Sequence, residues 1–120
     1  MEPNIEKTKF GMIKIAGEKY DHDVLIRWDG QVRKRKSKLS KHIYGTSHKI
    51  SLDEAKYIYK KKAKLLIIGT GQFDRVRLSD EAQRYFEKKG GRVVLAATPE
   101  AIQLWNEAEG KVIGLFHVTC

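Results

Sequence analysis

A short apolar run, Leu65-Leu66-Ile67-Ile68, ending at Gly69-Thr70-Gly71, limits the folds open to this 120-residue chain more than any other feature. Four apolar residues without polar alternation fit a strand covered on both faces, and such strands belong to sheets flanked by other layers. The sequence after it keeps switching period. Ser79 can cap a helix with Asp80 and Glu81 in its first turn, Ala82, Tyr85 and Phe86 inward and Gly90-Gly91 at its end. Arg92 to Ala96 reads as the next buried strand. Thr98 then caps a further helix with Pro99 at its first position, where a missing N–H costs nothing. In that helix Ala101, Leu104, Trp105 and Ala108 fall on one face, and Gly110 closes it before a last strand, Val112 to Phe116.

Upstream the pattern is different. Residues 10–15 alternate, and Tyr20 to Ile26 follows after Ala16-Gly17-Glu18-Lys19, which predicts a hairpin. Asp29-Gly30 is the strongest turn signal in the chain and predicts that Val24 to Trp28 pairs with Gln31 to Arg35. Residues 36–50 show neither period and read as a long exposed loop. Ser51 followed by Glu54 has the spacing of a capping box, and Leu52, Ala55, Ile58 and Tyr59 supply an apolar face. A helix is therefore predicted to about Lys62, with Lys60, Lys61 and Lys62 in its last turn, where the dipole favours cations. Alternating helices and strands after an antiparallel start predict an α/β three-layer sandwich: a central mixed sheet, helices packed on it, and an N-terminal antiparallel meander over one face or edge.

The length suits one compact domain, residues 1–120, and 41% hydrophobic with 32% charged residues is a globular balance. No run approaches the roughly 18 apolar residues of a membrane helix, and the opening Met1-Glu2-Pro3-Asn4 has no basic-then-apolar signal, so a cytoplasmic location without membrane contact is expected. Cys120, the single cysteine, cannot form an internal disulfide. Few Asn, Met and Cys beside abundant Lys and Glu is a composition seen in proteins of hot-growing organisms. The charge, however, is concentrated. Residues 33–64 hold twelve Lys or Arg against Asp53 and Glu54, a net +10, and the rest of the chain carries −1. Clustered charge can steer an anionic partner where scattered charge mostly aids solubility.

Three constellations could carry function. Gly69-Thr70-Gly71-Gln72 sits where a strand should reach the edge of an α/β sheet, so it is either a tight exit turn or a crevice whose backbone N–H groups face a small ligand or anion, bordered by His48 and His117. A dinucleotide loop would need a third glycine and a phosphate loop a Lys-Ser or Lys-Thr pair; neither is present. The cluster Arg33, Lys34, Arg35, Lys36 and Lys38 with Lys60, Lys61 and Lys62 could bind a polyanion, or could be a solvated surface. Nucleic acid is the less favoured occupant, because the nearby tyrosines are wanted by the core and a stacking platform is missing. His48, His117 and Cys120 make an incomplete zinc set, so no metal and no cofactor is expected. His117 is expected instead to hydrogen-bond to loop backbone and staple the C-terminus. Cys120 beside its own carboxylate is a poor nucleophile. Asp21 and Asp23 read as solvent-facing.

Gly11 and Gly17, Gly45-Thr46-Ser47-His48, Ile67-Ile68-Gly69-Thr70-Gly71, Thr98 with Ala101 and Asn106, and Phe116-His117-Val118-Thr119-Cys120, taken in this order, resemble the Mth938-like domain family. That family, of unknown function, also includes an adipogenesis-associated animal protein and a mitochondrial assembly factor for respiratory complex I. The resemblance spans Phe10 to Cys120 and implies a three-layer fold with a central mixed sheet and no established catalytic residues, cofactor or substrate. Its eukaryotic members look like assembly or interaction proteins. This chain departs from them between Arg33 and Lys41, where they tend to be tryptophan-rich, so a partner bound there does not carry over. The leading expectation is a non-enzymatic domain that binds a protein partner, with self-association left open. A ligand crevice and a polyanion surface are the alternatives.

Overall fold

The computed structural model describes residues 3–120; Met1 and Glu2, part of the opening read for a leader, lie outside it. Ten strands and four helices are present among the described residues. The main sheet has the order β5(Val32–Lys34), β4(Val24–Ile26), β10(Val112–His117), β7(Leu65–Thr70), β9(Arg92–Ala96). β10, β7 and β9 run parallel, and β4 and β5 add antiparallel at one edge, so the sheet is mixed as expected.

The alternation of side chains explains the layers. From β7, Leu66 and Ile68 face one side and Ile67 the other; from β10, Ile113 and Leu115 oppose Val112 and Phe116. The first side is covered by α2(Leu52–Ile58) and α3(Asp80–Lys89), through Ala55, Ile58, Ala82 and Phe86. The second is covered by α4(Thr98–Glu107), whose Trp105 and Ala101 are fully buried, and by a separate antiparallel sheet of β1(Ile5–Lys9), β2(Met12–Ile15) and β3(Glu18–Tyr20). The predicted meander is therefore split: β1 to β3 roof one face, while the pairing around Asp29-Gly30 gives β4 and β5, which extend the main sheet.

Four local expectations are corrected. The segment 36–50 is not a long exposed loop: it holds α1(Lys38–Tyr44) and β6(Lys49–Ile50), which pairs with β8(Arg77–Leu78), and buries Ser40 and Ile50. α2 ends at Tyr59, whose backbone is extended, so Lys60, Lys61 and Lys62 lie beyond the helix. β9 is an edge strand, only half-buried. Thr98 lies within α4 rather than capping it, and its hydroxyl has another use described below.

Candidate functional site

The C-terminal ends of β7 and β10 lie side by side, with Thr70 opposite His117, so the glycine turn and the chain's tail meet at one edge of the sheet. Gly71 has a φ of +104°, in the region that favours glycine, and a Cβ there would come within 2.3 Å of the Cys120 backbone and 2.8 Å of His117. The turn is thus shaped around the tail. Its N–H groups are used inside the protein: Gly71 donates to Thr98 Oγ1 at 2.9 Å, Gln72 to the Thr119 carbonyl at 2.7 Å, and Phe73 to the Cys120 carbonyl at 3.2 Å. The Thr98 hydroxyl donates in turn to the His117 carbonyl at 2.6 Å. Of the two readings of Gly69, Thr70, Gly71 and Gln72, the crevice would need N–H groups that Gly71 and Gln72 spend on Thr98 and Thr119, as a tight exit turn does. Gly69 leaves no space either, since a Cβ would stand 2.9 Å from both Thr98 Oγ1 and Phe116.

Beside this turn, the start of β4 and the residue after β5 bring together groups that the sequence separates. The hairpin register pairs Val24 with Lys34, and one step further the Arg35 N–H donates to the Asp23 carbonyl at 3.0 Å. Arg35, 4% exposed, points inward. Its Nε and Nη2 donate to the two oxygens of Glu54 at 2.7 and 3.0 Å, its Nη1 to Asp23 Oδ2 at 2.9 Å, and its Nη2 to the Ser47 carbonyl at 2.9 Å. This paired, bidentate geometry is what a buried guanidinium requires. Arg35 is therefore not part of a polyanion surface, because its donors are spent on buried carboxylates.

Glu54, fully buried, is the N3 residue of α2, and its N–H does donate to the cap Ser51 Oγ at 3.1 Å. Its carboxylate does not close the capping box; it accepts from Arg35 and from the Ser40 hydroxyl. Ser40 Oγ takes over the remaining donor, accepting the Ser51 N–H at 3.0 Å. No buried side-chain nitrogen or oxygen among the described residues lacks a partner.

Asp23 links this network to His117. Oδ2 faces His117 Nδ1 at 2.7 Å and Oδ1 accepts the Val118 N–H at 2.9 Å. An ionised carboxylate only accepts, so Nδ1 carries the proton and Nε2 is turned toward the Thr119 hydroxyl, 3.1 Å away. Burial pushes the Asp23 carboxyl up, but the hydrogen bond and charge of His117, the Arg35 charge and the Val118 N–H outweigh it and hold the group below the usual carboxylate range. Burial likewise opposes the Arg35 charge, and Glu54 and Asp23 overcome it to raise that group further. His48 stacks edge-on against His117 with ring centroids 5.2 Å apart, and partial burial with the charges of His117, Arg75 and Arg35 lowers its affinity for a proton. His117 thus staples the tail to the side chain of Asp23, the residue before β4, rather than to loop backbone. Asp23, read from sequence as solvent-facing, is the hinge of the cluster.

In front of His117 is an open polar cleft of about 190 Å³, rimmed by Lys34, Lys41, Ser37, Ser47, His22 and Thr119. Lys38 is exposed on the outer side of α1, beside Asp53, and Arg33 projects from β5 toward Gln31. Lys36 rests on the Tyr57 ring. Lys60, Lys61 and Lys62 belong to the opposite end of the sheet, where Lys62 covers Trp28 and Lys64 donates to the Lys111 carbonyl. The basic segment is therefore divided: Lys34 and Lys41 stand at the His117 end, Lys60 to Lys62 near the start of β7, and Lys36 reaches from the first stretch to Tyr57. Sequence reasoning missed Asp23, Glu54 and Ser40, since each is explained locally until its distant partner is known.

A mixed five-stranded sheet with helices on one face and a small sheet plus a helix on the other defines a Mth938-like α/β domain. The model of a family described as proteins of unknown function, DUF498/DUF598, matches residues 5–117, and the chain belongs to that family. It is similar to the conserved hypothetical protein PH1505 from Pyrococcus horikoshii OT3, at 32% identity over 98% of this chain and 99% of that one, with a TM-score of 0.91. The protein named MT938 is 27% identical over 99% and 100% of the two chains, with a TM-score of 0.84. A Mth938-like domain protein of Bordetella pertussis, at 13% identity over 97% and 85% and a TM-score of 0.65, shares the fold. No helix of the described residues is long and apolar enough to cross a membrane.

Proposed function

We propose that this chain is a binding protein rather than an enzyme, and that it receives a carboxylate-bearing segment of a partner protein in the cleft before His117. The observation that carries this reading is the pairing of a cationic rim, Lys34 and Lys41, with an imidazole fixed from behind by the Asp23–Arg35–Glu54 network. The buried network fixes the floor of the cleft, and the exposed Lys34 and Lys41 ammonium groups supply the charge that a carboxylate would meet. The Thr119–His117–Asp23 chain has the connectivity of a hydroxyl nucleophile array. Against catalysis, the neighbouring turn spends its N–H groups on the tail and on Thr98, so it supplies no oxyanion donors. A single cysteine suits a reducing, cytoplasmic setting.

Titration of the ¹⁵N-labelled protein with a hexaglutamate peptide tests the proposal. Amides of Ser47, His117 and Thr119 are expected to shift saturably, and Lys34→Glu with Lys41→Glu to abolish the response. Inorganic phosphate in a parallel titration separates a carboxylate site from a phosphate site. No shift, or a shift untouched by the two substitutions, contradicts the reading.

A further inference from the structure

The other end of the main sheet carries chemistry that the His117 cleft does not use. Trp28 follows β4 and Tyr57 lies in the last turn of α2, and together they flank a groove of about 280 Å³. Leu25 and Ile58 also line it, beside Arg27, Lys56 and Lys60. Tyr57 is 41% exposed. Lysine ammonium groups lie over both rings: Lys36 at 4.6 Å from the Tyr57 centroid, Lys62 and Lys111 at 4.5 and 5.1 Å from that of Trp28. Among the described residues, the acid within ion-pair reach of these cations is Asp29, 3.9 Å from Arg27 Nε.

We propose that this groove binds single-stranded nucleic acid, with a base on the Trp28–Tyr57 platform and flanking phosphates on the surrounding lysines. Single lysines also lie over Tyr44 and Tyr85, and here three lysines lie over the two rings that flank one groove. Lysines without carboxylate partners rest on aromatic faces, held there by a modest cation–π attraction. A phosphodiester draws such ammonium groups away, and the uncovered ring then offers a face to an unstacked base. An acidic peptide has the charge and lacks the base. A duplex has both but keeps its bases stacked on one another. The groove's size suits one planar ring and is below the usual volume of a drug-sized ligand pocket.

The test is fluorescence anisotropy of a labelled oligothymidylate of about 12 nucleotides, with an oligouridylate of equal length to separate DNA from RNA. With about four phosphates contacted, affinity should fall roughly 50-fold between about 50 and 200 mM salt. Tyr57→Ala should weaken binding about tenfold, while Tyr57→Phe, which keeps the ring and the packing, should bind as the parent does. Lys60→Glu with Lys62→Glu should remove binding, with folding checked by circular dichroism. The proposal is overturned by an absence of binding at the lowest salt, by a Tyr57→Ala protein that binds like the parent, or by a duplex of the same length bound as tightly as the single strand.

Discussion

The two ends of the main sheet handle positive charge in opposite ways. At the end where β7 and β10 finish, Arg35 is sealed behind the surface with Glu54 and Asp23, and only Lys34 and Lys41 remain at the rim. At the other end, Lys60, Lys61, Lys62 and Lys111 stay exposed, and the partners that organise Lys62 and Lys111 are the faces of Trp28. One end turns charge into rigidity and the other keeps it mobile. The consequence is testable, because a buried paired charge dominates stability while an exposed one acts mainly on association.

The largest effect is expected from Arg35→Met, which leaves Glu54 fully buried without a counter-charge, takes one partner from Asp23, and should cost about 3–5 kcal/mol in chemical denaturation. Adding Glu54→Met should recover part of that loss, since an apolar pair has no charge to compensate. Gly71→Ala comes next. Its methyl group would collide with the Cys120 backbone at a strained φ, for an expected loss of about 1–3 kcal/mol. Hydrogen exchange at Gln72 and Phe73 should accelerate with it, because their acceptors lie in the tail.

The pH dependence is a smaller effect and has a defined sign. The folded Asp23 carboxyl titrates below its ordinary value, so its contribution is complete above the unfolded value of about 4 and is lost as pH falls through the folded one. Wild type should lose stability more steeply than Asp23→Asn below about pH 4. His48 binds its proton less readily when folded, so it makes stability decline as pH drops below about 6.5, and His48→Gln should flatten that shallow slope. Smallest of all, Lys60→Met should stay within about 0.5 kcal/mol of the parent.

Much of the frame was legible because the central strands are covered on both faces and α3 carries its signals locally, Ser79 accepting from Ala82 at one end and left-handed Gly90 at the other. α1 was missed because its start carries no signal: Ser37 makes no side-chain cap, no acid occupies the first turn, and the helix is seven residues long, although left-handed Gly45 closes it as Gly90 closes α3. The Lys60–Lys62 run resembled a helix C-terminus, yet the chain turns extended at Tyr59. The candidate site was harder to see for a different reason. Glu54 at a capping-box position has a sufficient local explanation, and its real partner is 19 residues earlier. Asp23 and His117 are 94 residues apart, and nothing in either neighbourhood announces the contact. The stacking platform was overlooked because Tyr57 was assigned to the core and Trp28 to a turn flank.

The contrast between the ends is tested most directly by one ¹H–¹⁵N NMR experiment in which hexaglutamate and oligothymidylate are added in turn to the same sample. The account predicts two separate sets of shifts, with Ser47, His117 and Thr119 answering the peptide and the Trp28 indole and Tyr57 answering the oligonucleotide. Each set should persist when the other probe is bound. Shifts that coincide, or that spread over every exposed lysine with both probes, would show one undifferentiated basic surface and contradict the division of the molecule drawn here.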